Sequence, residues 1–495
     1  DFILGTTTLS NKKRKRENQG ENNMLNAMQG SAPAMAMKVA AARIIAVMSS
    51  IARHGGTTLP GKVVLLSDKD IISRLGRRYE KGSMIVSATN GKTTTCGMIV
   101  SVLGHEGMSV ARNREGANLR TGIATTVLRD ASMAGRPNSE FGLFEVDEAA
   151  LPEVAYQCAP GVILLMNLFR DQLDRYGELE HIAGLWRSAI RPASGDTTII
   201  LNADDPLVAD MASERPGNII FYGLDDAEAG RSSMQHASDS KFCSRCGSPL
   251  EYDFFFVGHL GAYHCPSCGR TRPSPTVMAR KIRLRGISGS SFTLVAPTGE
   301  SRIDIAMPGL YNIYNALAAA AACAVLGIGH EAIRHGLESF SAAFGRVERL
   351  TVEGGDVVML LVKNPAGFNE VVRTLMIEEG PKYLMLALND RIADGRDISW
   401  IWDVDLEPLM PGVRLAVASG DRAEEMAMRL KYAGLETGKM IIRRDLSDAL
   451  REALSRLPEG ETLYVLPTYT AMLAMRKEIH QRFRTDGEMG DLVWK

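Results

Sequence analysis

Residues Ser87-Ala88-Thr89-Asn90-Gly91-Lys92-Thr93-Thr94-Thr95 stand where a β-strand should hand over to a helix, and no other stretch restricts the fold as much. Met84-Ile85-Val86 read as a short buried strand, and Met98, Ile99, Val102 and Leu103 resume at helical spacing. At a helix start the first backbone N–H groups lack intrahelical partners and the macrodipole is positive, so an anion is favoured there. Gly91 lets the backbone close around phosphate, with Asn90 and Thr94 flanking it. Lys92 supplies a point charge, and the Thr93 hydroxyl is placed to ligate Mg²⁺. The general phosphate-loop pattern has glycine at the position of Val86, so this loop is not the common form. A Gly-Lys-Thr helix start without a ligand is the alternative that this stretch alone leaves open.

The remaining pattern predicts an α/β protein of roughly two or three domains. Continuous apolar runs at 141–146, 161–166 and 197–201 suit a parallel sheet covered on both faces. A long alanine-rich helix is expected from Tyr311 to Leu326 and a second from Glu331. Strand-like segments at 357–362, 383–388, 413–418 and 462–466 define a second α/β domain. The predicted division is a disordered tail or extension over 1–37, a nucleotide-binding domain over 38–347 with an insertion at 241–272, and a C-terminal α/β domain over 348–495. Within the tail, Lys12-Lys13-Arg14-Lys15-Arg16 reads as a solvated basic run, and the chain opens on Asp1 with Met24, Met35 and Met37 as alternative starts. A net charge of −1 argues against nucleic acid as the main partner, and no apolar run is long enough to span a bilayer.

Further chemistry gathers at expected strand ends, where ligands collect in open parallel sheets. Glu145 in Glu145-Val146-Asp147-Glu148 offers a hard oxygen to a phosphate-bound Mg²⁺, although acids on a loop are also an ordinary solvated surface. Asn167 to Gly177, then Asn202-Ala203-Asp204-Asp205, follow the next two strands. Asn312 and Asn315 fall on one helical face, where amides can read an adenine edge or one can cap the helix. Among seven cysteines, Cys243, Cys246, Cys265 and Cys268 form two Cys-x-x-Cys pairs at zinc-ribbon spacing. Four thiolates leave no open position, which points to structural Zn²⁺; redox cysteines are the alternative.

In this order the motifs resemble the Mur ligase family over most of residues 80–347. The resemblance implies ATP-dependent phosphorylation of a carboxylate, followed by attack of an amine on the acyl phosphate. It assigns Lys92 and Thr93 to phosphate and Mg²⁺, Glu145 to Mg²⁺ and catalysis, Asn202, Asp204, Asp205 and Asn315 to the nucleotide, and Arg346 to its phosphate end. Three positions depart from the family: Ala88 replaces glycine, Gln172 replaces histidine, and no lysine lies between Gly177 and Ile199 to be carbamylated.

The cysteine insertion, together with Asn364-Pro365-Ala366-Gly367-Phe368-Asn369 and Asn389-Asp390-Arg391-Ile392-Ala393-Asp394-Gly395-Arg396-Asp397, resembles the MurT branch of that family. That branch implies ATP-dependent amidation of the α-carboxylate of D-glutamate in the lipid II stem peptide, in a heterodimer with a GatD-type glutaminase, at the cytoplasmic face of the membrane. Asp397 would complete the glutaminase Cys–His pair; residue types alone favour a turn cap for Asp394 or Asp397. Trp400 and Trp402 belong to the partner interface or to the core. The rival readings are a Mur-type ligase adding an amino acid, a nucleic-acid-binding ATPase, and a non-catalytic scaffold.

Overall fold

A computed structural model describes residues 32–51, 58–113, 116–170, 179–215, 217–233, 239–341, 347–482 and 485–486. The basic run at 12–16, the Asp171–Gly177 part of the third motif and Arg346 lie outside the described residues. The chain divides into two compact units, one drawn from residues 1–85 and 109–161, the other from 86–108 and 162–495.

The first unit is mainly helical. Its first helix, Ala32–Ile51, begins within the stretch read as tail, and Met35 is already buried there. Lys38 on this helix pairs with the buried Asp68 at 2.5 Å. The helix Leu59–Ser67 packs on Arg120–Asp130 where Gly61 faces Thr121: a Cβ at 61 would stand 2.0 Å from the Thr121 carbonyl oxygen. Contact that close needs glycine. Beside these helices, Val110–Arg112 pairs in parallel with Phe141–Glu145, whose five residues are all buried as the apolar run predicts.

In the second unit, Val162–Leu165, Thr198–Asn202, Ile219–Leu224 and Val277–Leu284 are successive parallel neighbours. The sheet continues through the antiparallel strands Ser290–Ala296 and Gly299–Ile305, with one register shift between Ser291 and Thr293. The helix Leu310–Val325 carries Ala318 to Ala322 fully buried and packs against Lys92–His105, the helix that follows the phosphate loop. Small side chains let two backbones approach, so the alanine run is a packing surface for the loop's own helix.

The same unit contains the C-terminal domain. Its seven strands run in the order Met440–Ile442, Val413–Ser419, Lys382–Ala387, Thr462–Pro467, Gly355–Leu360, Val347–Val352, Thr485–Asp486. The first five are parallel and the last two join antiparallel. Apolar cores cover both faces, one centred on Phe368, Leu386 and Trp400, the other on Met385, Val465 and Met475. Trp400 therefore belongs to the core, whereas Trp402 is 48% exposed.

Candidate active site

The strand Ser83–Ser87 runs into the loop and Lys92–His105 as the sequence pattern requires. Gly91 sits at φ +91°, and a Cβ there would lie 2.1 Å from Asn315 Oδ1. The loop is thus shaped by glycine on one side and by the Asn315 amide on the other. Asn315 Nδ2 donates to Asn312 Oδ1 at 3.1 Å, and Asn312 Nδ2 donates to the Pro308 carbonyl at 2.8 Å, so the paired amides hold each other. Asn90 N–H donates to Asn167 Oδ1 at 2.9 Å, and Asn167 Nδ2 returns a bond to the Asn90 carbonyl at 3.0 Å. Lys92 Nζ donates to the Ala88 carbonyl, and Thr94 is buried beneath the loop. From the C-terminal domain, Asn364 caps the helix Pro365–Ile377 with its Oδ1 while its Nδ2 donates to Asn90 Oδ1 at 3.1 Å.

A cavity adjoins this loop, lined by Gly91, Asn167, Phe169, Tyr311, Asn315 and Glu370 among others. Its walls combine aromatic faces with amides, the composition that suits a flat heteroaromatic ring with polar edges. A glycine cradle, helix-start N–H groups, an adjacent ammonium and this cavity fit a nucleoside triphosphate.

Asp204 and Asp205, expected to line the nucleotide, are fully buried and bound to protein partners. Asp205 caps Pro206–Asp210 by accepting from the N–H of Leu207 and Val208, and its Oδ2 accepts from Leu168 N–H at 2.9 Å. Asp204 accepts from Arg272 Nε at 2.5 Å, Tyr314 OH at 2.6 Å and Leu224 N–H at 2.8 Å. Burial pushes the Asp204 carboxyl up, opposed chiefly by the Arg272 charge. Asn202 Oδ1 accepts from Asp204 N–H at 3.0 Å, while its buried Nδ2 has no hydrogen-bond partner among the described residues. Through Tyr314, and through Leu168 between Asn167 and Phe169, the two aspartates hold residues that line the cavity.

Glu145 closes its own strand, 3% exposed. Asn113 brackets its backbone with bonds of 2.9 Å to both N–H and C=O, and Arg112 approaches its carboxylate to 4.0 Å.

The four cysteines converge, with all sulfurs within 4.8 Å of one another. Cys246 and Cys265 lie 3.5 Å apart and Cys243 and Cys268 3.7 Å apart. A tetrahedron with Zn–S arms of about 2.3 Å has edges of about 3.8 Å, whereas disulfide sulfurs sit about 2.05 Å apart. The donor set fits Zn²⁺ and not a pair of disulfides. Hydrogen bonds from Ser248 bring the Cys246 thiol down to about 6. Against the pull of the Arg270 N–H, the neighbouring thiols push Cys268 up to about 11. Asp210 fastens this ribbon to the nucleotide domain, accepting from Arg245 Nε at 2.7 Å and Ser244 Oγ at 2.9 Å.

Between the cysteine pairs, the hairpin Glu251–Val257 and Leu260–His264 reaches the cavity, which Val257 and Leu260 help line. At its turn, His259 is fully buried, 4.8 Å from the Phe169 ring and with Nε2 3.5 Å from Asp205 Oδ2. Burial disfavours the imidazolium, but the charge and polar pull of Asp205 and the charge of Asp239 together outweigh it and lift the imidazole above its ordinary value. Sequence reasoning missed His259, Arg272 and Tyr314, each joined to the aspartates across a long chain separation.

At the carboxyl edge of the C-terminal sheet, Asp394 accepts from the Thr470 N–H at 2.8 Å and from its hydroxyl. Asn389 bonds Thr468 and Asp421 in the adjoining loops and Thr470 at the start of the helix Tyr469–Arg482. Asp397 is half-buried, and its Oδ1 accepts from Ser399 N–H at 2.8 Å. Asp397 therefore caps its own turn and keeps partial access to solvent, whereas Asp394 ties its loop to the first turn of the helix Tyr469–Arg482. Among the described residues no helix is long and apolar enough to cross a membrane.

Two family profiles match, Mur ligase middle domain over residues 86–264 and MurT ligase C-terminal over 361–472. The lipid II isoglutaminyl synthase (glutamine-hydrolyzing) subunit MurT of Staphylococcus aureus is 32% identical over 86% of this chain and 94% of its own. Its counterpart from Streptococcus pneumoniae is 34% identical over 88% and 94%. Among solved structures, a pseudomurein peptide ligase type C from Methanothermus fervidus superposes with TM-score 0.63 at 22% identity, covering 82% of this chain and 80% of that one. A MurF ligase from Thermotoga maritima in complex with ADP gives TM-score 0.60 at 14% identity over 83% and 84%. Similarity to the two isoglutaminyl synthase subunits over most of both chains, carried on a Mur ligase fold with the branch's own C-terminal domain, makes this chain a member of the MurT family.

Proposed function

We propose that the chain is the synthetase subunit of a lipid II isoglutaminyl synthase, converting the α-carboxylate of D-glutamate in the stem peptide to the amide during peptidoglycan synthesis. The observation that carries this reading is similarity to MurT subunits over nearly their whole length, together with a phosphate loop to which the C-terminal domain contributes Asn364.

A carboxylate oxygen attacks the γ-phosphorus of ATP, forming an acyl phosphate as the β–γ bridging bond breaks and ADP leaves. The ammonia lone pair then attacks the acyl carbon. A C–N bond forms, phosphate departs with the former carboxylate oxygen, and the nitrogen releases a proton. Loop N–H groups and Lys92 offset charge on the transferring phosphoryl group. Thr93 is our proposed Mg²⁺ ligand at the loop, and Glu145 keeps its proposed role as a Mg²⁺-binding carboxylate. When bound, Mg²⁺ would polarise the phosphoryl oxygens. The four cysteines would hold a structural Zn²⁺.

The nitrogen source we infer is a GatD-type glutaminase bound as a heterodimer. Asp397 would orient a histidine of that subunit through Oδ2 while Ser399 fixes Oδ1. A lipid-linked substrate places the work in the cytoplasm, at the inner face of the membrane. With the glutaminase present, continued ADP release over many turnovers should require lipid II together with glutamine or ammonium. ADP release that is unaffected by lipid II would refute the proposal.

A further inference from the structure

Glu370 lies on the helix Pro365–Ile377, is 1% exposed, and lines the cavity beside the phosphate loop. Neither of its carboxylate oxygens has a hydrogen-bond partner among the described residues. Arg373 Nη1 stands 4.0 Å from Oε1 and is itself bonded to the Phe256 carbonyl at 3.0 Å. Burial pushes the carboxyl up, against the charges of Arg373 and Arg231 and the Leu310 N–H, which approaches outside hydrogen-bond geometry.

A buried carboxylate without donors is costly, and it persists in a binding cavity when a ligand supplies them. Charge decides which part of a nucleotide it meets. Phosphates are repelled by Glu370 and have their own seat at the loop N–H groups and Lys92. The base and ribose carry the neutral N–H and O–H donors, and the aromatic and apolar walls, Phe169, Tyr311, Val257 and Leu260, suit the faces of a base. We infer that Glu370 is a specificity-determining residue that accepts a hydrogen bond from an N–H or O–H donor on the base or ribose of the bound nucleotide. This rests on the nucleotide reading of the site and extends it to a residue of the C-terminal domain, so that the domain senses which nucleotide is bound.

The test is calorimetric binding of the full chain, with Mg²⁺, to ATP, to the triphosphate of purine riboside, which lacks the 6-amino group, and to 2′-deoxy- and 3′-deoxy-ATP. A hydrogen bond to a charged acceptor corresponds to roughly 10- to 100-fold in affinity. Wild type should bind one of these analogues more weakly than ATP by that factor, and which analogue it is separates base from ribose as the donor. In Glu370→Met, of similar volume but without an acceptor, the ratio should collapse to about one. Glu370→Gln, which keeps a carbonyl oxygen, should restore part of it. If Glu370 only balances Arg373 and Arg231, the variants weaken all four nucleotides alike and the ratios survive, which overturns the inference. Equal binding of all four by wild type overturns it without any variant. Failure of wild type to bind ATP at all would instead overturn the nucleotide reading.

Discussion

Replacing Gly91 by alanine should damage nucleotide binding far more than folding. At φ +91° an L-residue is in the left-handed region, which costs about 1–2 kcal/mol. The new Cβ would stand 2.1 Å from Asn315 Oδ1, so the amide must turn away and lose its 3.1 Å bond to Asn312, worth about 1 kcal/mol. Met166 Cε, 3.1 Å from the same Cβ, is the end of a flexible side chain and can yield at small cost. The sum, about 2–3 kcal/mol, is the cost of holding the loop and the amide in their binding shape; a free loop that relaxes to escape it must repay it when nucleotide binds, roughly 30- to 150-fold in affinity. Titration calorimetry with Mg-ATP reads the loss, and circular dichroism melting checks that the fold persists. A Gly91→Ala chain that binds ATP within about threefold of wild type would refute the claim that Gly91 and Asn315 jointly shape the phosphate seat.

Asp397→Asn should abolish turnover driven by glutamine while sparing turnover with ammonium; equal loss with both donors would remove its proposed role at the glutaminase. Stripping metal from the ribbon, or Cys246→Ser, should weaken ATP binding roughly fivefold or more, because Val257 and Leu260 hang from the hairpin between the cysteine pairs. Unchanged affinity in a chain shown to be zinc-free would break that link. Asp394 is a carboxyl held above its ordinary value of 3.8 by burial, so its stability contribution is fully present below that value and is lost as pH rises through the raised one. Asp394→Asn should therefore flatten the fall of melting temperature as pH rises above the ordinary carboxyl value of 3.8, and melt no lower than wild type at neutral pH. A variant that melts lower there would show that the charge, not the hydrogen bonds to Thr470, holds the loop.

Local signals gave away the parts of the site that depend on neighbours in sequence. The strand-loop-helix junction at Ser83–His105 follows from apolar spacing and one glycine, and the cysteine convergence follows from two short pairs. The parallel strands at 162–165 and 198–202 were legible as unbroken apolar runs. Val277–Leu284 was not, because its Met-Ala-Arg-Lys-Ile-Arg interior puts polar residues toward solvent on a partly open sheet. The Asn202–Asp205 motif was legible as chemistry, but its job was not. Only the folded chain brings Arg272, Tyr314 and His259 to these aspartates, and Tyr314 is the one of the three that lines the cavity. Glu370 stands one residue beyond the motif that ends at Asn369, in a helix whose burial no local pattern announces.

The most direct measurement is the mass of lipid II after incubation with the chain, the proposed glutaminase partner, ATP, Mg²⁺ and glutamine. The account predicts the small decrease that exchanging a carboxylate hydroxyl for an amide nitrogen requires, dependent on the partner when glutamine is the donor and independent of it with ammonium. ATP consumption accompanied by a gain of an amino-acid residue's mass when free amino acids are supplied, with no amide formed, would contradict it and return the chain to the amino-acid-adding ligases.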